Sequence, residues 1–247
     1  MRTSSARAYG DPEALIPRAP LRRSVAKPFV LVNYKIYRES TGRRALDLTR
    51  ALASAAAGAR ADVAVAVQAA DIRLVAGATP LPVWAQHADG AKPGVGTGAA
   101  LAEALAEAGA RGSLVNHAER KLTLAEIATA VARLKEAGLA SVVCTSDPAT
   151  TAAAAALEPG WVAFEPPELI GGDVSVTTAD PAIVRASVEA AKRVAPDVPV
   201  LCGAGVKTGE DLRAALALGC DGVLLASGIV KAADPAKALA GLLSGLS

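Results

Sequence analysis

From Phe29 onward, short runs of β-branched and other apolar residues alternate with longer stretches rich in Ala, Leu, Arg and Glu, whose apolar positions recur at helical spacing. Eight strand-like runs result: Phe29 to Asn33, Asp62 to Val67, Val83 to Gln86, Ser113 to Asn116, Ser141 to Thr145, Val162 to Glu165, Val198 to Cys202 and Gly222 to Ala226. Helical periodicity marks Arg43 to Ala57, Gly98 to Ala108, Leu124 to Ala137, Pro181 to Ala195, Glu210 to Leu218 and Pro235 to Leu243. Strands that are apolar almost throughout are buried on both faces, so this alternation predicts a parallel sheet covered by helices on each side. Eight β-then-α units predict an α/β fold closed into a (β/α)8 barrel. An open doubly wound sheet is the rival, but no GxGxxG follows the first strand, and the candidate polar residues fall at the ends of many strands. In a barrel those ends converge on one mouth.

The chain of 247 residues is long enough for one such domain, expected over residues 28–247. The first 27 residues break the rhythm, with Arg2, Arg7, Arg18, Arg22 and Arg23 among Pro12, Pro17 and Pro20, and read as a flexible extension. They lack the apolar centre of a secretory signal, and Asp11 and Glu13 speak against a transit peptide, so an extended or misassigned start is the expectation. A net charge of +2, without a basic cluster or aromatic platform, argues against nucleic acid as a partner. No apolar run reaches the roughly 18 residues of a membrane span. The three cysteines form neither a CxxC pair nor an even framework, which fits reduced thiols in a cytoplasm.

Candidate chemistry lies where the strands end. The sixth runs into Glu165-Pro166-Pro167-Glu168-Leu169-Ile170-Gly171-Gly172, a carboxylate followed by a stiff-hinged loop with glycines at its tip. The prolines fix φ and push the residue before each out of the helical region, so the segment can swing as a unit, and the glycines bring backbone N–H groups close to an anion. Taken alone, it reads equally as a Pro-rich surface loop. The first strand ends in Asn33-Tyr34-Lys35 and the fourth in Asn116-His117-Ala118-Glu119-Arg120, while the last two run into Gly203-Ala204-Gly205 and Ala226-Ser227-Gly228. Of the two histidines, His87 reads as a structural residue, whereas His117 shares the mouth with an asparagine, a lysine and a glutamate. No third ligand-type residue stands in metal spacing, which argues against zinc and leaves general acid/base chemistry without a cofactor.

These motifs, in this order, resemble the triosephosphate isomerases, in particular their short archaeal form. Asn33-Tyr34-Lys35 is similar to the family's Asn-aromatic-Lys motif, Asn116 to Arg120 to its His-Ser-Glu-Arg motif, and Glu165 to Gly171 to its base and lid. Cys202 to Val206, followed by Gly209-Glu210-Asp211, and Asp221 to Lys231 are similar to its phosphate grip and last strand, so that the resemblance spans about residues 28–246. It implies a TIM barrel that interconverts dihydroxyacetone phosphate and D-glyceraldehyde 3-phosphate through an enediolate, in glycolysis and gluconeogenesis. It also implies Glu165 as the base, His117 as a neutral donor to the carbonyl, Lys35 and Asn33 as stabilisers of the oxyanion, and Glu119 as the partner holding Lys35. Arg120 reads equally well as charge at a helix start. Gly171, Gly205, Ala226 and Ser227 are implied as phosphate binders, and Pro166 to Ser175 as a segment that closes to exclude water.

Two departures bear on this resemblance. Ala118 replaces the usual serine after the histidine, so a backbone amide or water must take over from its hydroxyl, and Gly172-Asp173 places a negative charge where the lid tip usually reads Thr-Gly. Three alternatives follow: an isomerase of a four-carbon ketose phosphate, which would keep every catalytic residue; a phosphate-binding barrel without catalysis; and a Schiff-base lyase using Lys35. The segment Gly94-Val95-Gly96-Thr97-Gly98 stands where the family's subunit-locking loop lies, implying a homodimer, and the short archaeal form a homotetramer.

Overall fold

The computed structural model describes residues 27–172 and 174–246, in the order β1 (Phe29–Asn33), α1 (Arg43–Ala56), β2 (Asp62–Val67), α2 (Ile72–Ala76), β3 (Val83–Ala85), α3 (Ala102–Glu107), β4 (Gly112–Val115), α4 (Leu124–Glu136), β5 (Ala140–Thr145), α5 (Pro148–Ala155), β6 (Trp161–Phe164), α6 (Val176–Ala179), α7 (Pro181–Val194), β7 (Val200–Cys202), α8 (Gly209–Ala217), β8 (Gly222–Leu225), α9 (Ser227–Val230) and α10 (Pro235–Leu243). The extension read in residues 1–27 lies outside the described residues except for Lys27, as does the charge of Asp173. The strands pair in parallel in chain order and β8 closes on β1, giving the barrel that the sequence predicts.

Strand periodicity sorts the side chains into two apolar layers. Val30, Val32, Val63, Val65, Val143, Val162, Val200 and Val223 point outward and pack under the helices. Phe29, Leu31, Ala64, Ala66, Trp84, Leu114, Val142, Ala163, Leu201 and Leu224 point inward and fill the barrel. The alternation also aims the ends of the strands. Asn33 follows Phe29 and Leu31 on the inward parity of β1, and Glu165 follows Trp161 and Ala163 on that of β6.

Both tryptophans of the chain and one of its two phenylalanines plug the opposite end. The Phe29 ring lies 5.0 Å from that of Trp161 and 5.6 Å from that of Trp84, and the two tryptophans meet edge-on at 5.7 Å. Room for Trp84 comes from Gly112, where a Cβ would fall 2.4 Å from the indole. A closed floor leaves the C-terminal mouth as the barrel's access to its inner axis.

Helix starts follow local chemistry. Thr123 with Glu126 and Thr208 with Asp211 form capping boxes at α4 and α8, while Asp147, Asp180 and Asp234 cap α5, α7 and α10 ahead of a proline in the first turn. The helix read from Gly98 begins instead at Ala102, because Asp89 captures the Ala100 N–H at 2.6 Å and draws the approach into a loop. Trp84→Ala should cost about 3–5 kcal/mol of folding stability in urea unfolding. A loss below about 1 kcal/mol would show that the aromatic floor is dispensable.

Candidate active site

The turn after β1 sets the first group. Lys35 has φ +47°, a left-handed backbone rare for a residue with a Cβ. Its N–H donates to Asn33 Oδ1 at 2.9 Å, which occupies the amide oxygen and leaves Asn33 Nδ2 as the donor. The Lys35 ammonium is paired with Glu119 Oε1 at 2.8 Å. Tyr34, between them, points away and bonds Thr49 at 2.8 Å; burial pushes its phenol pKa well up.

After β4, Asn116 takes φ +61° and secures the turn with its own side chain, donating to the Cys144 carbonyl at 2.9 Å and accepting from the Leu122 N–H at 2.8 Å. That turn places His117 so that its Nδ1 accepts the Glu119 N–H at 3.2 Å. An acceptor at Nδ1 puts the ring proton on Nε2, which faces Glu165 Oε2 at 3.8 Å. This Glu119 amide is a backbone partner next to Ala118. Burial, with help from the nearby Lys35, lowers the His117 pKa to about 4 against the pull of Glu119, so the ring is neutral across the physiological range.

Glu165 is buried at the mouth, 6% exposed, and its Oε2 has no hydrogen-bond partner. Burial raises its pKa to about 7, opposed by the charge of Lys35 and by a hydrogen bond from the Cys144 thiol. Across from it Gly203 must be glycine, since a Cβ there would lie 2.5 Å from Glu165 Oε1.

One cavity joins these groups. Asn33, Lys35, His117 and Glu165 line it together with Gly171, Gly205, Ala226 and Ser227. Glu119 stands behind Lys35, outside the lining. The loop after Glu165 forms a single 3-10 turn at Pro167–Leu169, and Gly171 takes φ +76°. Its far end rests on the loop after β7: the Val176 N–H donates to the Ala204 carbonyl at 3.1 Å, and a Cβ on Gly205 would fall 2.1 Å from the Val174 carbonyl oxygen. His87 lies apart, bonded to Asp89 at 2.9 Å. Arg120 is exposed, 3.9 Å from Asp89. Among the described residues no three His, Cys, Asp or Glu side chains gather as a metal ion requires.

Several residues that shape the cavity carry no sequence signal of their own. Tyr37 and Lys207 belong to its wall, and the Cys144 thiol bonds Glu165 from a strand read only as core. Alternation on β5 puts Cys144 on the same inward parity as Val142, the one signal that aims it at the barrel axis.

A parallel barrel whose mouth gathers a buried carboxylate, a neutral imidazole and an ammonium defines the class of barrel enzymes that move protons on a small bound substrate. Residues 28–242 match the family described as Triosephosphate isomerase. The triosephosphate isomerase of Methanosarcina acetivorans is 52% identical over 219 residues, covering 89% of this chain and 99% of that protein. That of Archaeoglobus fulgidus is 51% identical over 210 residues, 85% of this chain and 94% of the relative. The crystal structure of triosephosphate isomerase from Bartonella henselae covers 86% of this chain and 97% of its own with a TM-score of 0.70 at 19% identity, a likeness that bears on the fold alone. The chain belongs to the triosephosphate isomerase family.

The raised pKa of Glu165 also sets a stability trend. Its folded-state proton is held to about pH 7, whereas an unfolded carboxylate releases it near 4.5, so folding takes up a proton between these values and this group's contribution falls as pH rises through the window. Glu165→Gln should therefore gain stability relative to the parent chain from pH 4.5 to pH 7 in denaturant titrations. A pH-independent difference would place the carboxylate in an ordinary solvated state.

Proposed function

We propose that this chain interconverts dihydroxyacetone phosphate and D-glyceraldehyde 3-phosphate, with Glu165 as the base. The observation that carries the reading is the unpartnered, buried Glu165 Oε2 facing a proton-bearing His117 Nε2 across the cavity that Lys35 and Asn33 also line. Glu165 takes the proton from the carbon beside the carbonyl, and the C–H electron pair becomes the C=C bond of the enediolate. Negative charge settles on the carbonyl oxygen, where His117 Nε2–H, Asn33 Nδ2–H and the Lys35 ammonium stabilise it. Return of the proton to the neighbouring carbon, with transfer of the hydroxyl proton between the two oxygens through His117, completes the isomerisation. A base with a pKa of about 7 is half ionised at neutral pH and still strong enough to accept a carbon-bound proton.

The phosphate belongs at the end lined by Gly171, Gly205, Ala226 and Ser227, where backbone N–H groups at glycine turns and the Ser227 hydroxyl are the donors. Closure of residues 166–175 over that end excludes water, protecting the enediolate from loss of its phosphate. Asn33, Lys35, His117 and Glu165 would serve a four-carbon ketose phosphate equally, and a panel of three- and four-carbon substrates separates the two.

The chain acts as a homo-oligomer, a dimer or tetramer, in this reading. What supports it is the loop carrying Gly94, Gly96 and Gly98, all at positive φ, with Val95 fully exposed at its tip. Light scattering measures the assembly. Three buried free cysteines support a cytoplasmic setting, and among the described residues no helix is long and apolar enough to cross a membrane.

Purified protein given dihydroxyacetone phosphate, with the aldehyde product coupled to a dehydrogenase, should turn over with an acid limb in kcat/KM at about pH 7. Glu165→Asp withdraws the carboxylate by one methylene and should lower kcat about a hundredfold, the scale for a 1 Å misplacement, with an unchanged circular dichroism spectrum. No turnover at micromolar enzyme would remove the isomerase reading, and an unaffected Glu165→Asp rate would move the base elsewhere.

A further inference from the structure

Lys35 owes its position to contacts beyond its own turn. Its ammonium is tied to Glu119 and its N–H to Asn33, but its carbonyl is held from another strand: Gln86, directly after β3, donates from Nε2 to the Lys35 oxygen at 2.8 Å. The same nitrogen donates to the Ala66 carbonyl at 3.2 Å, so both amide hydrogens are used and one side chain fastens β2 to the turn after β1. Ala66 in turn accepts the Tyr34 N–H at 2.9 Å, which ties the Asn33–Tyr34 and Lys35–Ile36 peptides to one anchor point.

We propose that Gln86 is a positioning residue for the reaction, acting by holding Lys35 in its left-handed conformation so that its ammonium stays at the substrate cavity. A non-glycine residue at φ +47° is costly and persists only where its surroundings over-determine it. Of the polar contacts on the Lys35 backbone, the Asn33 bond is a local one that travels with the turn, whereas the Gln86 bond fixes the turn to the barrel wall. Removing the Gln86 amide lets the Lys35 peptide relax toward φ below zero and leaves two carbonyls without that donor. The inference rests on the reading of Lys35 as the cation at the developing oxyanion.

The test is a double-mutant cycle of Gln86→Met with Lys35→Ala, read by kcat, KM and the pH profile on dihydroxyacetone phosphate. Gln86→Met keeps the side chain's length without its donors; it should lower kcat at least tenfold, and that loss should vanish in the Lys35→Ala background. Because the Lys35 charge holds the Glu165 pKa down, Gln86→Met should also move the acid limb of kcat/KM upward, a shift that mere loosening of the fold does not produce. Additive losses, or a lower rate with an unmoved acid limb, would overturn the proposal. Full activity of Lys35→Ala alone would instead overturn the role given to Lys35. If Gln86→Met does not fold, Gln86→Leu, which removes the amide donors without adding a charge, is read in the same way.

Discussion

The site depends on a buried carboxylate that nothing neutralises. Water would solvate Glu165 far better than this cavity does, and the cation nearest to it in effect, Lys35, is already paired with Glu119. The group stays where it is because β6 is clamped between β5 and β7 and because Gly203 leaves the space its carboxylate fills. The barrel thus stores an unfavourable environment at one atom, and that environment gives Glu165 a pKa of about 7. The same burial acts in the opposite direction on His117, whose charged form is the cation, and leaves it a neutral donor at about 4. One cause, water exclusion, brings the carboxylate's pKa to neutrality and keeps the imidazole uncharged there.

Backbone strain follows the same map. Among the described residues four that are not glycine take positive φ, and three of them, Lys35, Asn116 and Ala204, stand just beyond the C-terminal ends of β1, β4 and β7. Each has a visible restraint: Lys35 through Asn33 and Gln86, Asn116 through its own amide, and Ala204 through its carbonyl bonded to Val176. Strain of this kind costs on the order of 1–3 kcal/mol per residue and survives where a rigid scaffold outweighs it. A parallel barrel supplies that scaffold because its strands pair on both sides and leave no edge to fray.

Much of this was legible in the chain itself. All eight strands announce themselves because a strand buried on both faces is apolar but for small hydroxyls such as Ser113 and Ser141 until it reaches the mouth, as β1 does at Asn33 and β6 at Glu165. The helices α2, α5, α6 and α9 were not legible. They run from four to eight residues, and α5, Pro-Ala-Thr-Thr-Ala-Ala-Ala-Ala, has no large apolar side chain to mark a face. Alanines there suffice because α7 lies close against it. In the site, Glu165, His117 and Lys35 were legible because acid/base groups at strand ends have few structural reasons to be there. Gln86 was not, since its partners are backbone carbonyls 51 and 20 residues away, which no sequence motif encodes.

The supporting residues also show a division of labour among the strands. Residues lining the cavity come from β1, β4, β6, β7, β8 and the loops after them, and none from β2, β3 or β5. Those three instead supply what holds the lining in place. Ala66 on β2 and Gln86 after β3 fix the turn that carries Lys35. On β5, Cys144 reaches both remaining groups: its carbonyl accepts from Asn116, which precedes His117, and its thiol donates to Glu165. Because β5 pairs with β4 on one side and β6 on the other, Cys144 lies between the strands that lead to the imidazole and to the carboxylate. The 3.8 Å gap thus lies between two groups that leave the sheet on either side of β5, just beyond the ends of β4 and β6.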